Sequence, residues 1–181
     1  MLVFKHVRYY DYFMKVLFDD RQIKDRIQIL SDMINASFIG QEVIAIGVLK
    51  GAVIFYSELV RKLKIPLYFD FIQVGSYGAA KESSGKVRII KDIEKDISGK
   101  NVLIIEDIID TGYTLDWLLK TLKKRNPASM KVAVLLDKKS KRKVPVKVDY
   151  IGFEVPDQFV VGYGLDFDDR YRELPYIGVL K

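Results

Sequence analysis

Three carboxylates and a hydroxyl-rich turn stand together in mid-chain: Glu106, Asp107 and Asp110, then Thr111-Gly112-Tyr113-Thr114, directly after the apolar run Val102 to Ile105. That run reads as a buried strand, and Leu115, Leu118, Leu119 and Leu122 then recur at helical spacing. A strand end thus hands its acids to the first turn of a helix. Gly112 lets the backbone turn tightly and approach a ligand without a Cβ in the way. The hydroxyls of Thr111 and Thr114, with the unpaired first amides of the helix, form a cradle that suits a phosphate. The three acids would repel a phosphate placed on top of them, so they serve hydroxyl groups, a divalent cation or a proton nearby. A phosphorylated sugar bound with a metal ion satisfies both halves.

Taken singly, these residues read as a solvated loop and an ordinary helix cap. As an ordered set behind a buried strand they point to a site, and the rest of the chain is arranged to position it. Ile23, Ile27, Leu30 and Ile34 mark one face of a helix from Asp20, with Asp19 or Asp20 as N-cap, ending near Gly40. Val43 to Val48 predicts a buried strand. After Leu49-Lys50-Gly51, a stripe of Val53, Tyr56, Val60 and Leu63 predicts a helix that stops before Pro66. Leu67 to Val74, Val132 to Leu136 and Tyr150 to Val155 predict further strands, while regular structure looks weak from Gly75 to about Lys91. A polar tract of that length inside a compact domain is usually functional or disordered.

Alternating strands and helices imply an α/β fold with a mostly parallel sheet covered on both faces. Ligands of such sheets bind beyond the carboxyl ends of the strands, and Leu49-Lys50-Gly51, Glu106 to Thr114 and Asp137-Lys138 all fall on that rim. One domain over residues 1–181 is expected, with a core at about 19–150. Residues 1–18 and 151–181 would form a small hood over the rim; pattern alone equally allows an edge hairpin and tail.

With 181 residues, 49% of them hydrophobic, the chain can bury a core without staples. The absence of cysteine rules out disulfides and a thiol nucleophile, and the lone His6 makes a histidine metal site improbable. The N-terminus lacks a signal-peptide pattern, and no apolar run approaches the ~20 residues of a membrane helix. The chain therefore reads as cytoplasmic and not membrane-bound. The net charge of +6 suits anionic ligands. The densest basic stretch, Lys138, Lys139, Lys141, Arg142 and Lys143, has no interleaved aromatics to stack bases, so it reads as solvated surface and no nucleic-acid partner is expected.

Glu106-Asp107-Ile108-Ile109-Asp110-Thr111-Gly112 closely resembles the phosphoribosyl pyrophosphate motif of the hypoxanthine-guanine phosphoribosyltransferases. The resemblance extends in order from about residue 40 to 178. It takes in Leu49-Lys50-Gly51, Ser76-Tyr77, Lys138, Gly152 to Asp157, Phe159 to Asp166, and Arg172 to Ile177. It implies the type I phosphoribosyltransferase fold. It implies transfer of the 5-phosphoribosyl group from phosphoribosyl pyrophosphate to N9 of hypoxanthine or guanine with Mg²⁺, giving IMP or GMP and pyrophosphate. A homodimer or homotetramer is implied as well.

By the same resemblance, Lys50, the Gly51 backbone and Arg172 contact pyrophosphate, and Ser76-Tyr77 begin a loop that closes over the reaction. Glu106 and Asp107 hold the ribose hydroxyls, which also bind the metal, and Asp166 holds a second Mg²⁺. Thr111, Gly112, Tyr113 and Thr114 cradle the 5-phosphate. Lys138 donates to the purine O6, Phe159 stacks on the ring, and the Val160 backbone meets its amino edge. Asp110 is the base or proton relay at N7, with Asp107 the alternative on spacing alone. Tyr113 stands where many relatives carry a basic residue, and Gln158 replaces a lysine of some relatives, which leaves the ranking of hypoxanthine, guanine and xanthine open. A rival reading is a non-catalytic regulator on the same fold that senses nucleotides or binds RNA.

Overall fold

In the computed structural model, which describes residues 14–76 and 87–180, Asp19 opens the first helix with a reciprocal cap. Its side chain accepts from the Gln22 amide at 2.8 Å, and the Gln22 side chain accepts from the Asp19 amide at 3.0 Å, worth about 1 kcal/mol at a helix start. Helix α1 (Asp20–Ser37) buries Ile23, Ile27, Leu30 and Ile34, and each such side chain contributes about 2 kcal/mol by leaving water.

Strands β2 (Val43–Leu49), β3 (Leu67–Ser76), β4 (Val87–Lys91), β5 (Asn101–Ile109), β6 (Ser129–Asp137) and β7 (Tyr150–Glu154) form one sheet in the order β4-β3-β2-β5-β6-β7. All neighbours are parallel except β3 and β4. Alternate residues divide between two cores. Val43, Ala45, Leu103, Ile105, Ala133 and Leu135 pack with α1 and with α2 (Val53–Val60). Ile44, Ile46, Val102, Ile104, Val132 and Val134 pack with α3 (Tyr113–Lys123). Burial on both faces is what makes these strands continuously apolar. β1 (Met14–Phe18), β9 (Ile177–Leu180) and β8 (Val160–Val161) form a second sheet of three short strands, drawn from the two stretches expected to make the hood. Among the described residues no helix is long and apolar enough to cross a membrane.

Several expectations need correction. Val87–Lys91, inside the tract read as irregular, is strand β4, alternately more and less buried and paired antiparallel with the end of β3. The exposed Ile90 and the partly buried Lys91 hide that period of two in the sequence. β5 runs four residues past Ile105, held by the register of Glu106 with Val134 and Ile108 with Leu136, so Glu106 and Asp107 lie on the strand itself. Helix α2 ends at Val60, short of Leu63. The main sheet continues through Glu154, beyond the expected core boundary near residue 150. On that edge strand, Arg26 of α1 donates to the carbonyls of Ile151 and Gly152, a tie no local pattern announces. The expected Tyr77 and the first part of the hood, residues 1–13, lie outside the described residues.

Candidate active site

The carboxyl ends of β2 and β5 and the start of α3 enclose a cleft of about 330 Å³, at the lower end of the usual size of a small-molecule site. Lys50, Gly51, Glu106, Asp107, Asp110, Thr111, Gly112, Thr114, Asp166 and Arg172 all line it. Ten of the expected site residues therefore meet in one place, although they come from three stretches of chain. Gly112 turns the chain with φ 88° and precedes α3 directly. A β-carbon there would press on the Val144 side chain at 3.1 Å. The Lys143 amide donates to the Thr111 carbonyl at 2.8 Å, which fastens the turn, and Thr114 and Leu115 of the first turn of α3 line the cleft.

At the acidic end, the Asp107 amide donates to Glu106 Oε1 at 3.2 Å. Burial, reinforced by the adjacent Asp107 charge, lifts the Glu106 carboxyl well above the ordinary range. Two crowded carboxylates in a cleft fit a divalent cation, whose charge would relieve both. Among the described residues, no three His, Cys, Asp or Glu side chains gather into a cation cage. Mg²⁺ commonly takes one or two carboxylates together with substrate phosphates, and Glu106 and Asp107 can supply those carboxylates.

Across the cleft, Lys50 and Arg172 converge on Asp169, at 3.1 and 3.0 Å. Hydrogen bonds from Arg172 and then Lys50 hold the Asp169 carboxyl below its usual range. Arg172 also pairs with Asp166 at 2.7 Å and donates to the Gly164 carbonyl at 2.7 Å, while its Nε is buried without a hydrogen-bond partner among the described residues. A cation so braced, with one donor unspent, suits an anionic ligand.

Lys138, Phe159 and Val160 are absent from the walls of this cleft. Lys138 is 5% exposed and its Nζ lies 3.7 Å from Asp110 Oδ2. Asp110 Oδ1 is buried with no hydrogen-bond partner among the described residues. Phe159 is 54% exposed and meets Phe167 edge to face at 5.4 Å. Val160 is buried in β8. Tyr113 is exposed on the first turn of α3, outside the cleft lining, and Ser76 ends β3.

The basic stretch after β6 is not simply solvated surface. Arg142 forms a two-point pair with the buried Asp137, at 3.0 and 2.8 Å. Lys141 bridges Asp110 at 3.3 Å and Asp157 at 3.1 Å. Sequence reasoning missed both residues, because their partners are set by the path of the loop. The density of basic residues beside a strand end was the only available signal.

A family model of the phosphoribosyl transferase domain matches residues 15–168. The chain is 48% identical over 171 residues to a hypoxanthine-guanine phosphoribosyltransferase of Mycobacterium avium, covering 91% of this chain and 84% of that protein. It is also 48% identical over 167 residues to the protein of the same name from Bacillus subtilis (strain 168), covering 92% and 93%. The solved structure of a hypoxanthine phosphoribosyltransferase from Staphylococcus aureus superposes with a TM-score of 0.90 at 41% identity, over 93% of this chain and 92% of that one.

Proposed function

The chain belongs to the phosphoribosyltransferase family, among its hypoxanthine-guanine members, and from that premise we propose how its cleft carries out purine salvage. The protein transfers the 5-phosphoribosyl group from phosphoribosyl pyrophosphate to N9 of hypoxanthine or guanine. The N9 lone pair forms the bond to C1 of the ribose, and the bond from C1 to the pyrophosphate oxygen breaks with its electrons leaving on pyrophosphate. The proton on N7 of the base passes to the Asp110 carboxylate. The observation that carries this reading is the placement of the Asp110 carboxylate, which lines the cleft and whose Oδ2 lies 3.7 Å from the buried Lys138 ammonium. A carboxylate beside a buried cation at the cleft wall matches a purine that presents an N–H and a 6-oxo group.

Thr111, Gly112, Tyr113 and Thr114 cradle the 5-phosphate with backbone amides and hydroxyls at the start of α3. Glu106 and Asp107 receive the ribose hydroxyls and, with Asp166, are the residues that would hold Mg²⁺. Bound with the diphosphate, Mg²⁺ supplies charge neutralisation for the leaving group. Lys50, the Gly51 backbone and Arg172 hold pyrophosphate, where negative charge grows in the transition state and fixed donors lower the barrier most. Lys138 donates to O6, which adenine replaces with an amino donor, so adenine is rejected. Phe159 stacks on the ring and the Val160 backbone meets its amino edge. Ser76 and Tyr77 begin the segment that closes over the reaction and keeps water from the ribosyl carbon. The working form is a cytoplasmic homodimer or homotetramer, a reading that rests on the family resemblance.

The test is direct. The protein is incubated with phosphoribosyl pyrophosphate, Mg²⁺ and hypoxanthine, guanine, xanthine or adenine, and nucleotide and pyrophosphate are measured. Equal amounts of IMP or GMP and pyrophosphate are expected, with adenine inert. No nucleotide from any base, joined by salt-sensitive RNA binding, would favour the regulator.

A further inference from the structure

The cation arrangement at Asp110 contains one more group than purine recognition needs. Asp110 Oδ2 faces two ammonium groups, Lys138 Nζ at 3.7 Å and Lys141 Nζ at 3.3 Å, while Oδ1 is buried and has no hydrogen-bond partner among the described residues. The two lysines differ in their surroundings. The Lys138 side chain is 6% exposed and Asp110 is its ion-pair partner. Lys141 is 37% exposed and has a second anchor, Asp157 Oδ1 at 3.1 Å. Asp157 stands two residues before Phe159, on the loop that carries the exposed ring. Lys141 itself ends the single 3-10 turn Lys139–Lys141 that follows Lys138 at the end of β6.

We propose that Lys141 is a positioning residue for the reaction: it holds Oδ2 of Asp110 and so fixes the orientation of the carboxylate toward the purine N–H, and it remains on Asp110 when Lys138 turns to the 6-oxo group. This rests on the reading of Asp110 as proton acceptor and Lys138 as the O6 donor. The Lys138 ammonium carries three N–H donors and can serve Asp110 and O6 together, but a shift toward O6 would lengthen its 3.7 Å approach to Asp110 Oδ2. Lys141, 3.3 Å from the same oxygen, keeps the carboxylate oriented through that shift. Through Asp157 it also ties the Phe159 loop to Asp110, so the stacking ring and the acceptor are placed by one ammonium. Both its contacts are charge-assisted, and such bonds are the directional ones.

The experiment compares wild-type protein with Lys141→Met, which keeps the apolar stem, Lys141→Arg, which keeps the charge, and Asp157→Asn. Each is made alone and Lys141→Met also in an Asp110→Asn background. Steady-state kcat and KM are measured for hypoxanthine and for phosphoribosyl pyrophosphate, with the thermal unfolding midpoint alongside. Lys141→Met should lower kcat/KM for hypoxanthine about tenfold or more, within the range of misplaced acid-base groups, and leave KM for phosphoribosyl pyrophosphate unchanged. Lys141→Arg should recover most of that loss, and Asp157→Asn should show a smaller one. In the Asp110→Asn background the Lys141→Met effect should vanish, which a general structural role would not produce. Wild-type hypoxanthine kinetics in Lys141→Met, a loss confined to phosphoribosyl pyrophosphate, or an undiminished loss in the Asp110→Asn background would each overturn the proposal. Failure of wild-type protein to form nucleotide would instead defeat the functional reading beneath it.

Discussion

The carboxylate of Asp107 fills the space that a side chain on Gly51 would need, so the loop after β2 and the acidic end of β5 touch through a backbone that only glycine provides. A β-carbon at residue 51 would collide with Asp107 Oδ2 and force either the acid or the loop to move. Gly51→Ala is therefore expected to fold, since the clash lies in an open cleft, yet to lose about 100-fold in kcat/KM for phosphoribosyl pyrophosphate, the scale of an ångström-sized misplacement. Kinetics with the thermal midpoint beside them check this. Near-normal kinetics would mean that the Gly51–Asp107 contact does not place substrate.

Lys138 is buried, with its ammonium 3.7 Å from Asp110 Oδ2. Removing it in Lys138→Ala takes a charge-assisted donor from O6, and the loss in kcat/KM for hypoxanthine should be about 10- to 100-fold. Adenine, no longer facing an ammonium, should close part of the gap. The ratio of the two bases' kcat/KM is the measurement, and an unchanged ratio would remove Lys138 from base selection.

Glu106 links the site to pH. Burial first, and then the Asp107 charge, hold its carboxyl above the ordinary value of 4.5. A carboxyl raised in the folded state binds its proton more tightly folded than unfolded. Its contribution to stability is thus fully present below 4.5 and is lost as pH rises through the raised value. The metal-free, substrate-free protein should lose urea resistance over that upward interval, relative to Glu106→Gln, whose neutral amide removes the dependence. Urea midpoints of both proteins across pH provide the check. A difference that is flat, or that grows in the wild type's favour with rising pH, would contradict the assignment.

How much of this was readable in residue order follows from how local each feature is. The strand from Val102, the turn at Gly112 and the helix stripe through Leu122 are consecutive, so apolar runs and one glycine suffice to place the acids and the cradle. The Asp19 cap is equally local, with donor and acceptor three residues apart. Strand β4 escaped because it gains its order from pairing with β3, whose register is long-range. Arg26 on the β7 edge, Lys141 between Asp110 and Asp157, and the burial of Asp137 depend on contacts between separate elements. A charged residue looks the same in sequence whether it ends in water or against a carboxylate.

The buried pair of Asp137 and Arg142 offers the most demanding test, because stability and phosphate binding pass through the same two residues. Asp137 is 1% exposed, and Arg142 holds both its oxygens and the Val146 carbonyl at 2.7 Å. The segment so fixed carries the Lys143 amide onto the Thr111 carbonyl and Val144 against Gly112. Arg142→Met leaves a buried carboxylate without its partner and should cost about 3 kcal/mol in denaturant unfolding. Replacing both, as Asp137→Leu with Arg142→Met, removes the uncompensated charge and should recover most of that stability, since well-packed apolar residues often match a buried pair. The double variant should nevertheless keep a raised KM for phosphoribosyl pyrophosphate, because the segment behind the phosphate turn has lost the fork that oriented it. A double variant with both stability and KM restored would show that the Asp137–Arg142 pair contributes no positioning of the cradle.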